Sequence, residues 1–462
     1  MSQRSDGHAS LDWPDQSEPF PAGLAADEFS EIAGLRPRRN PALRIAAATL
    51  GVAAGVAAGV AAGVASDRVG KHRAAMEALE TPELLDITPD EEHVVLTDDG
   101  VTLHVEVDLP STEAARAAAD GATRHGRAEE VPTVVLTHGY CLSLRCWVYQ
   151  RRALKAAGYR VVTWDQRGHG RSGRGEKESY TIERLGEDLH TVLAEMVPEG
   201  DIVLVGHSMG GMTLLALGEQ RREFVAERVV GAGFIATSAG GLMLADGGRV
   251  ATFGRLMLER LGPGMLSSIA ERPHLLRRVR RVARDFEHFM VEQNSFASPV
   301  PRSVVRYTAD ILLSTPLDVV NDYLQTFDGF DKRPALSEFQ HAVVLVFTGR
   351  DDVITPPSHS ELIVEGIPGA EHIVVNDAGH MIMLEHPDLL SAHLIQLVDQ
   401  AARARADQLD VAKQPHVRRV VTDAAKNRRL KRLEKEAAKL RARAVSGWSG
   451  RWPPRMRHQR PM

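Results

Sequence analysis

The sequence predicts an α/β fold: a mostly parallel central sheet flanked by helices, with an inserted helical cap and an N-terminal hydrophobic helix. Three observations predict it. From Thr133 onward, short β-branched runs at 133–139, 159–164, 201–207, 228–236, 342–349 and 371–377 alternate with helix-prone stretches. Apolar runs of strand length separated by helices are the pattern of a parallel sheet covered on both faces. Between 236 and 341 the rhythm stops, and the residues there read as helices instead of strands. Finally, in DIVLVGHSMGG (201–211) a buried strand runs into a Gly-x-Ser-x-Gly turn and then into a helix.

Composition fits such a chain. Its 462 residues are 43% hydrophobic and 25% charged, while aromatic content of 5% leaves most packing to Ala, Val and Leu. A net charge of −5 is too small to direct the whole chain at a polyanion. The charge is unevenly spread: residues 403–460 hold 18 Lys and Arg against five acids, a net +13. Cys141 and Cys146 make neither a disulfide framework nor a metal site. No motif asks for a cofactor or a metal.

In chain order, residues 1–40 are rich in Asp, Glu, Pro, Ser and Gly and read as disordered. Residues 45–65 carry no charge and are long enough to cross a bilayer as a helix, a candidate transmembrane segment. Gly51, Gly55, Gly59 and Gly63 line one face of it as overlapping small-xxx-small motifs. Ten alanines make it weakly apolar, so a soluble helix and the apolar region of a secretory leader compete with insertion. The expectation is a membrane-associated, single-pass chain, with cytoplasmic or secreted placement as alternatives. Residues 66–90 form a linker. Residues 91–236 form the first part of the core, opening with a hairpin around Asp98-Asp99-Gly100. Residues 237–340 form the cap, with helical patterns at 250–261 and 304–326. Its apolar side chains, Phe253, Met257, Met265 and Leu266 among them, suit either an acyl pocket or the cap's own core. Residues 341–400 complete the core and 401–462 form a basic tail. KNRRLKRLEKEAAKLRARA in that tail is a basic helix candidate for anionic lipid or RNA. It lacks interleaved aromatics, which disfavours nucleic acid and makes it a solvated extension.

The chemistry centres on Ser208. A hydroxyl is a poor nucleophile at neutral pH and needs a histidine to take its proton, with an acid to hold the imidazole. In parallel sheets such partners belong in loops just after strands. The loop after 342–349 contains RDDVITP and that after 371–377 contains AGHMIMLEHP. Residue types alone leave Asp351 beside Asp352 and His386 beside His380. The residue after the serine, Met209, opens a helix, so its backbone N–H is free to face whatever the serine attacks.

Four motifs in order then carry a resemblance: HGY (138–140), WDQRGHGRSG (164–173), GHSMGG (206–211), and GRDDVITP followed by AGH (349–356, 378–380). The stretch from about His93 to Gln400 resembles the α/β-hydrolase fold family, in particular its lid-bearing serine esterases and lipases. The resemblance implies Ser208 as nucleophile, Asp352 as acid, His380 as base, and the backbone N–H groups of Tyr140 and Met209 as the oxyanion hole. It casts His138, His169 and His207 as turn-shaping residues and both cysteines as packing residues. It implies hydrolysis of carboxylic esters through an acyl-enzyme, with a small-molecule or lipid-like ester such as a monoacylglycerol as substrate. A cofactor-free haloperoxidase-like enzyme, a C–C hydrolase or an acyltransferase would share these motifs. A serine at 208 argues against epoxide hydrolase or dehalogenase chemistry, which needs a carboxylate there. From another class, a catalytically inert membrane-tethered interaction protein is the rival, with membrane contact through 45–65 and the tail.

Overall fold

The computed structural model describes Leu85 and residues 87–110, 131–241, 295–432 and Lys435. The expected disordered N-terminus, the candidate helix 45–65, most of the linker, residues 111–130 and the far tail lie outside the described residues. So do the cap residues 242–294 and the apolar side chains named there. Among the described residues, no helix is long and apolar enough to cross a membrane.

Nine strands form one sheet: β1 Glu91–Leu96, β2 Thr102–Asp108, β3 Thr133–Thr137, β4 Val161–Trp164, β5 Ile202–His207, β6 Val229–Ile235, β7 Val343–Gly349, β8 Glu371–Val375 and β9 Val417–Val421. Their order is β1-β2-β4-β3-β5-β6-β7-β8-β9. The hairpin β1–β2 is antiparallel, in register from Leu96 opposite Thr102, and β2 pairs antiparallel with β4. Every other pairing is parallel. Strand periodicity explains why the central strands read as unbroken apolar runs. Val134 and Leu136 of β3, with Val203 and Val205 of β5, enter one core layer. Val135, Ile202 and Leu204 enter the other.

Helices fill both layers. Against the first pack α1 (Val148–Ala156), α8 (Ile382–Glu385) and α9 (Pro387–Ala406), through Leu154, Ile382, Leu390, Leu394 and Leu397. Against the second pack α2 (Ile182–Met196), α3 (Met209–Gln220), α4 (Arg222–Arg228) and α7 (Pro357–Gly366), through Leu189, Leu214, Leu217, Val225 and Ile363. The chain leaves β3 toward β4 and then returns past β3 to β5, so the crossover direction reverses between β3 and β5. Sites in such sheets open at the carboxyl ends of the strands at that reversal. The loops ending in Tyr140 and Ser208 meet there.

Two expectations are corrected. The single helical pattern at 304–326 becomes two helices, α5 (Arg302–Ser314) and α6 (Leu317–Leu324). Pro316 separates them, because proline disfavours helical geometry in the residue before it and cannot donate to a continuing helix. The core also does not end at 400 with a solvated tail beyond. Helix α9 runs to Ala406, β9 pairs in parallel with β8, and residues 424–432 are helical. Val421 packs against the first core layer, while Arg418 and Arg419 point outward to Glu361 (2.9 Å) and Glu371 (3.4 Å). Those arginines made the segment read as basic tail, and its β-branched residues build the edge strand.

Candidate active site

Ser208 stands between β5 and α3 with φ 52° and ψ −120°, a positive-φ conformation that a residue with a side chain enters only under constraint. The constraint is visible in the flanking glycines. A Cβ at Gly206 would lie 2.5 Å from the carbonyl of Gly210, and one at Gly210 would lie 2.3 Å from the carbonyl oxygen of Thr137. Neither position has room for a side chain. The turn is pinned from outside: Ser208 N–H donates to Ile235 O (3.0 Å), and the Thr237 hydroxyl donates to Ser208 O (2.6 Å).

His380 and Asp352 arrive from the neighbouring strand ends. His380 Nδ1 stands 2.9 Å from Asp352 Oδ2, and both residues are buried. The Asp352 carboxylate accepts the N–H groups of Ile354 (2.8 Å) and Thr355 (2.9 Å) on Oδ1, and the Thr355 hydroxyl (2.9 Å) on Oδ2. With its other acceptor sites occupied, its remaining oxygen geometry is directed at the imidazole. Asp351 is exposed, and its own N–H donates to Ala378 O (3.0 Å). Of the two candidate acids, then, the fold brings Asp352 to the histidine. The other candidate histidine, His386, sits at the start of α9 with Nδ1 against Asp423 (3.1 Å) and Nε2 against Asp377 O (3.0 Å). His207 packs its ring 4.8 Å from that of His380 and donates from Nε2 to the His380 carbonyl (3.0 Å). Burial, with His380 beside it, holds His207 well below the usual imidazole range.

On the other side of Ser208, the turn after β3 is held by neutral imidazoles. His138 Nδ1 donates to Gly139 O (2.7 Å), and its Nε2 accepts the N–H of Gln166 (2.9 Å). His169 Nε2 accepts the N–H of Cys141 (3.2 Å) while Nδ1 faces Arg167 O (3.1 Å). An accepting nitrogen carries no proton, and burial agrees: it drives His138 well down and His169 to about 4. Asp165 ties the same two loops, accepting Leu144 N–H and Arg171 N–H at 2.8 Å each, and burial pushes its carboxyl up to about 6. Tyr140 thus lies in a braced turn. Its hydroxyl donates to Val320 O on α6, and its ring meets Tyr323 and Phe327 edge-on.

Helix α6 and the turn after it pack on this turn. Val319, Tyr323 and Phe327 form one apolar cluster with Met209 and Met212 of the helix that follows Ser208. The Tyr323 hydroxyl donates to Arg167 O (3.2 Å) in the loop after β4. Both cysteines are buried, and burial raises the Cys141 thiol to about 12 and Cys146 well above its ordinary value. A thiol kept protonated is a packing group, not a nucleophile. Sequence reasoning missed Thr355 as a partner of the acid and Gln166 as the link between His138 and α3. The first was visible as the only hydroxyl in VITP. The second had no signal, because it bridges β3, β4 and α3 through Nε2 to His138 O (2.6 Å) and Oε1 from Thr213 (2.8 Å).

Comparison with known proteins agrees with the fold. Residues 132–387, more than half of the chain, match the family profile described as "alpha/beta hydrolase fold". Methylesterase 3 of Arabidopsis thaliana is 25% identical over 284 residues, covering 58% of this chain and 97% of the relative. Methylesterase 8 of the same plant is 38% identical over 80 residues, covering 17% of this chain and 29% of the relative. Among solved structures, the esterase EaEST of Exiguobacterium antarcticum superposes with a TM-score of 0.51 at 19% identity, covering 67% of this chain and 99% of that one. The profile match and the shared sheet make the chain a hydrolase of the alpha/beta hydrolase fold family.

Proposed function

We propose that the protein is a serine hydrolase that cleaves carboxylic esters through an acyl-enzyme, with Ser208, His380 and Asp352 as its catalytic residues. The observation that carries this reading is the 2.9 Å contact of His380 Nδ1 with buried Asp352, at the strand end beside the constrained turn of Ser208. Asp352 holds the imidazole with its proton on Nδ1, which leaves Nε2 free to take the Ser208 proton. The Ser208 oxygen then attacks the ester carbonyl carbon, and the backbone N–H groups of Met209 and Tyr140 receive the oxyanion. Both donors are peptide groups, so their strength depends on the turns being rigid, and the imidazole bracing supports that. His380 returns its proton to the departing alkoxide. Water, deprotonated by His380, releases the acid and restores the serine hydroxyl.

The apolar contacts of α6 with Met209 and Met212 favour a substrate with an apolar acyl group, such as a lipid-like ester. Reaction of the full-length protein with a fluorophosphonate probe tests the nucleophile: Ser208→Ala is expected to abolish labelling and to lower ester turnover by about 10⁶-fold or to background. Labelling that persists in that variant refutes the assignment. A p-nitrophenyl ester series of increasing acyl length tests the substrate class. Turnover that does not rise with chain length removes the lipid-like reading while leaving the serine in place.

A further inference from the structure

The loop that carries His380 is held on both sides by one buried device. On its N-terminal side, Gly379 N–H donates to Glu385 Oε2 at 2.6 Å. On its C-terminal side, Met381 N–H donates to Ser295 O at 2.9 Å. Glu385, 2% exposed, uses its other oxygen to gather the segment beginning at Ser295, accepting Ala297 N–H (2.9 Å), Ser298 N–H and the Ser298 hydroxyl (2.6 Å). A carboxylate carrying this many donors fixes the loop only if its own surroundings are fixed.

What fixes them comes from the far end of the chain. Lys426 donates from Nζ to Ser298 Oγ (2.7 Å) and to the Glu385 carbonyl (2.9 Å). Its backbone N–H is capped by Asp423 Oδ1 (2.8 Å), and Asp423 Oδ2 stands 3.1 Å from His386 Nδ1. The whole group is carried in by β9, whose last residue receives Asn376 N–H at 2.9 Å. Removing a lysine from water costs free energy, and burial indeed pulls Lys426 down to about 8 against the opposing pull of Glu385, Asp423 and Asp377. A solvated basic tail has no reason to bear that cost. The family match ends at residue 387, so Asp423 and Lys426 lie beyond it.

We propose that the segment from Val417 to Lys426 is a latch that positions His380, with Lys426 acting through Ser298 and Glu385 on the Gly379 amide. Lys426 touches no reacting atom, so it is a positioning residue. The proposal rests on the serine hydrolase reading for its consequence in catalysis, though not for its geometry. A misplacement of a base by a fraction of an ångström is enough to slow proton transfer by about tenfold or more.

The test uses full-length protein in three variants, Lys426→Met, Lys426→Arg and Ser298→Ala, with two measurements. The first is the rate of fluorophosphonate labelling together with kcat and KM for one ester. Lys426→Met and Ser298→Ala are expected to lower labelling and kcat by about tenfold with KM within about twofold, and Lys426→Arg to recover most of the loss. The second, independent of any activity, is hydrogen exchange at the Gly379 and Met381 amides. Exchange there should accelerate by about tenfold in Lys426→Met while β5 amides keep their rates. If Lys426→Met does not fold, Ser298→Ala carries the same test, because it removes the side chain that links Lys426 to the Glu385 carboxylate and leaves the ammonium in place on the Glu385 carbonyl. Wild-type labelling together with wild-type exchange in Ser298→Ala overturns the latch. Faster exchange in a protein that no fluorophosphonate labels upholds the latch and overturns the serine hydrolase reading instead.

Discussion

On one side of Ser208, the loops after β7 and β8 hold Asp352 and His380 among carboxylates, hydroxyls and an ammonium; on the other, the loops after β3 and β4 hold Tyr140 through buried, neutral imidazoles. On the proposed reading, the two sides have different work to do. A proton carrier needs an ionised partner within reach and a loop that keeps it there. A backbone donor needs only to stay still, and a charge beside it would compete for the oxyanion. His138 and His169 meet that need because each accepts a peptide N–H and burial keeps it uncharged. On that reading the histidines around Ser208 serve opposite ends: His380 faces a carboxylate, whereas His138 and His169 face peptide groups.

The largest expected effect breaks the ionised side. Asp352→Asn should lower kcat by about 10⁴-fold, because the amide no longer holds the catalytic tautomer, while Asp351→Asn should stay within about threefold of wild type. Steady-state turnover of a short-chain ester by the two variants decides it; the reverse order would make Asp351 the acid.

An intermediate effect reads the neutral side. His169 is held at about 4 in the folded protein against about 6.5 when unfolded, so the unfolded chain binds the proton first. Its contribution is full above pH 6.5 and is lost as pH falls from 6.5 toward 4, a span worth about 3 kcal/mol. Urea unfolding at pH 7 and at pH 4 should show a stability loss smaller by roughly that amount in His169→Gln than in wild type. An unchanged pH dependence would mean that the ring is not held neutral.

The smallest effect separates a backbone from a side chain at the same residue. Tyr140→Phe loses the hydrogen bond to Val320 O and should cost about 1 kcal/mol in thermal or urea unfolding. Because the amide stays, kcat should change by less than about threefold. A hundredfold fall in kcat would assign the hydroxyl, not the peptide N–H, to the reaction.

Much of the site is legible in the amino-acid sequence, because its parts are tied to short spacings. Gly206 and Gly210 announce the turn of Ser208, since no Cβ fits at either place, and the strands on either side announce themselves by β-branched runs. The choice between Asp351 and Asp352 follows only from the resemblance to a family, and the residues themselves leave it open. Adjacent positions in a turn point opposite ways, and only the paths of β7 and β8 decide which one meets the histidine. Gln166 and Glu385 are not legible as site residues, because each works through partners that are distant in sequence or carried by the backbone, whereas Thr355 stands in plain view as the one hydroxyl beside the acid.

The C-terminal segment shows the same limit most clearly. By itself, the sequence determined the order of β1 to β8, the serine turn and the loops that carry its candidate partners, since these depend on local periodicity and on steric rules that act within a few residues. Only the tertiary structure decided that Val417–Val421 is a strand and that Lys426 lies beneath the His380 loop. The physical reason is that an edge strand and a half-buried ammonium are stabilised by their partners, not by their own composition, and those partners lie 40 or more residues away.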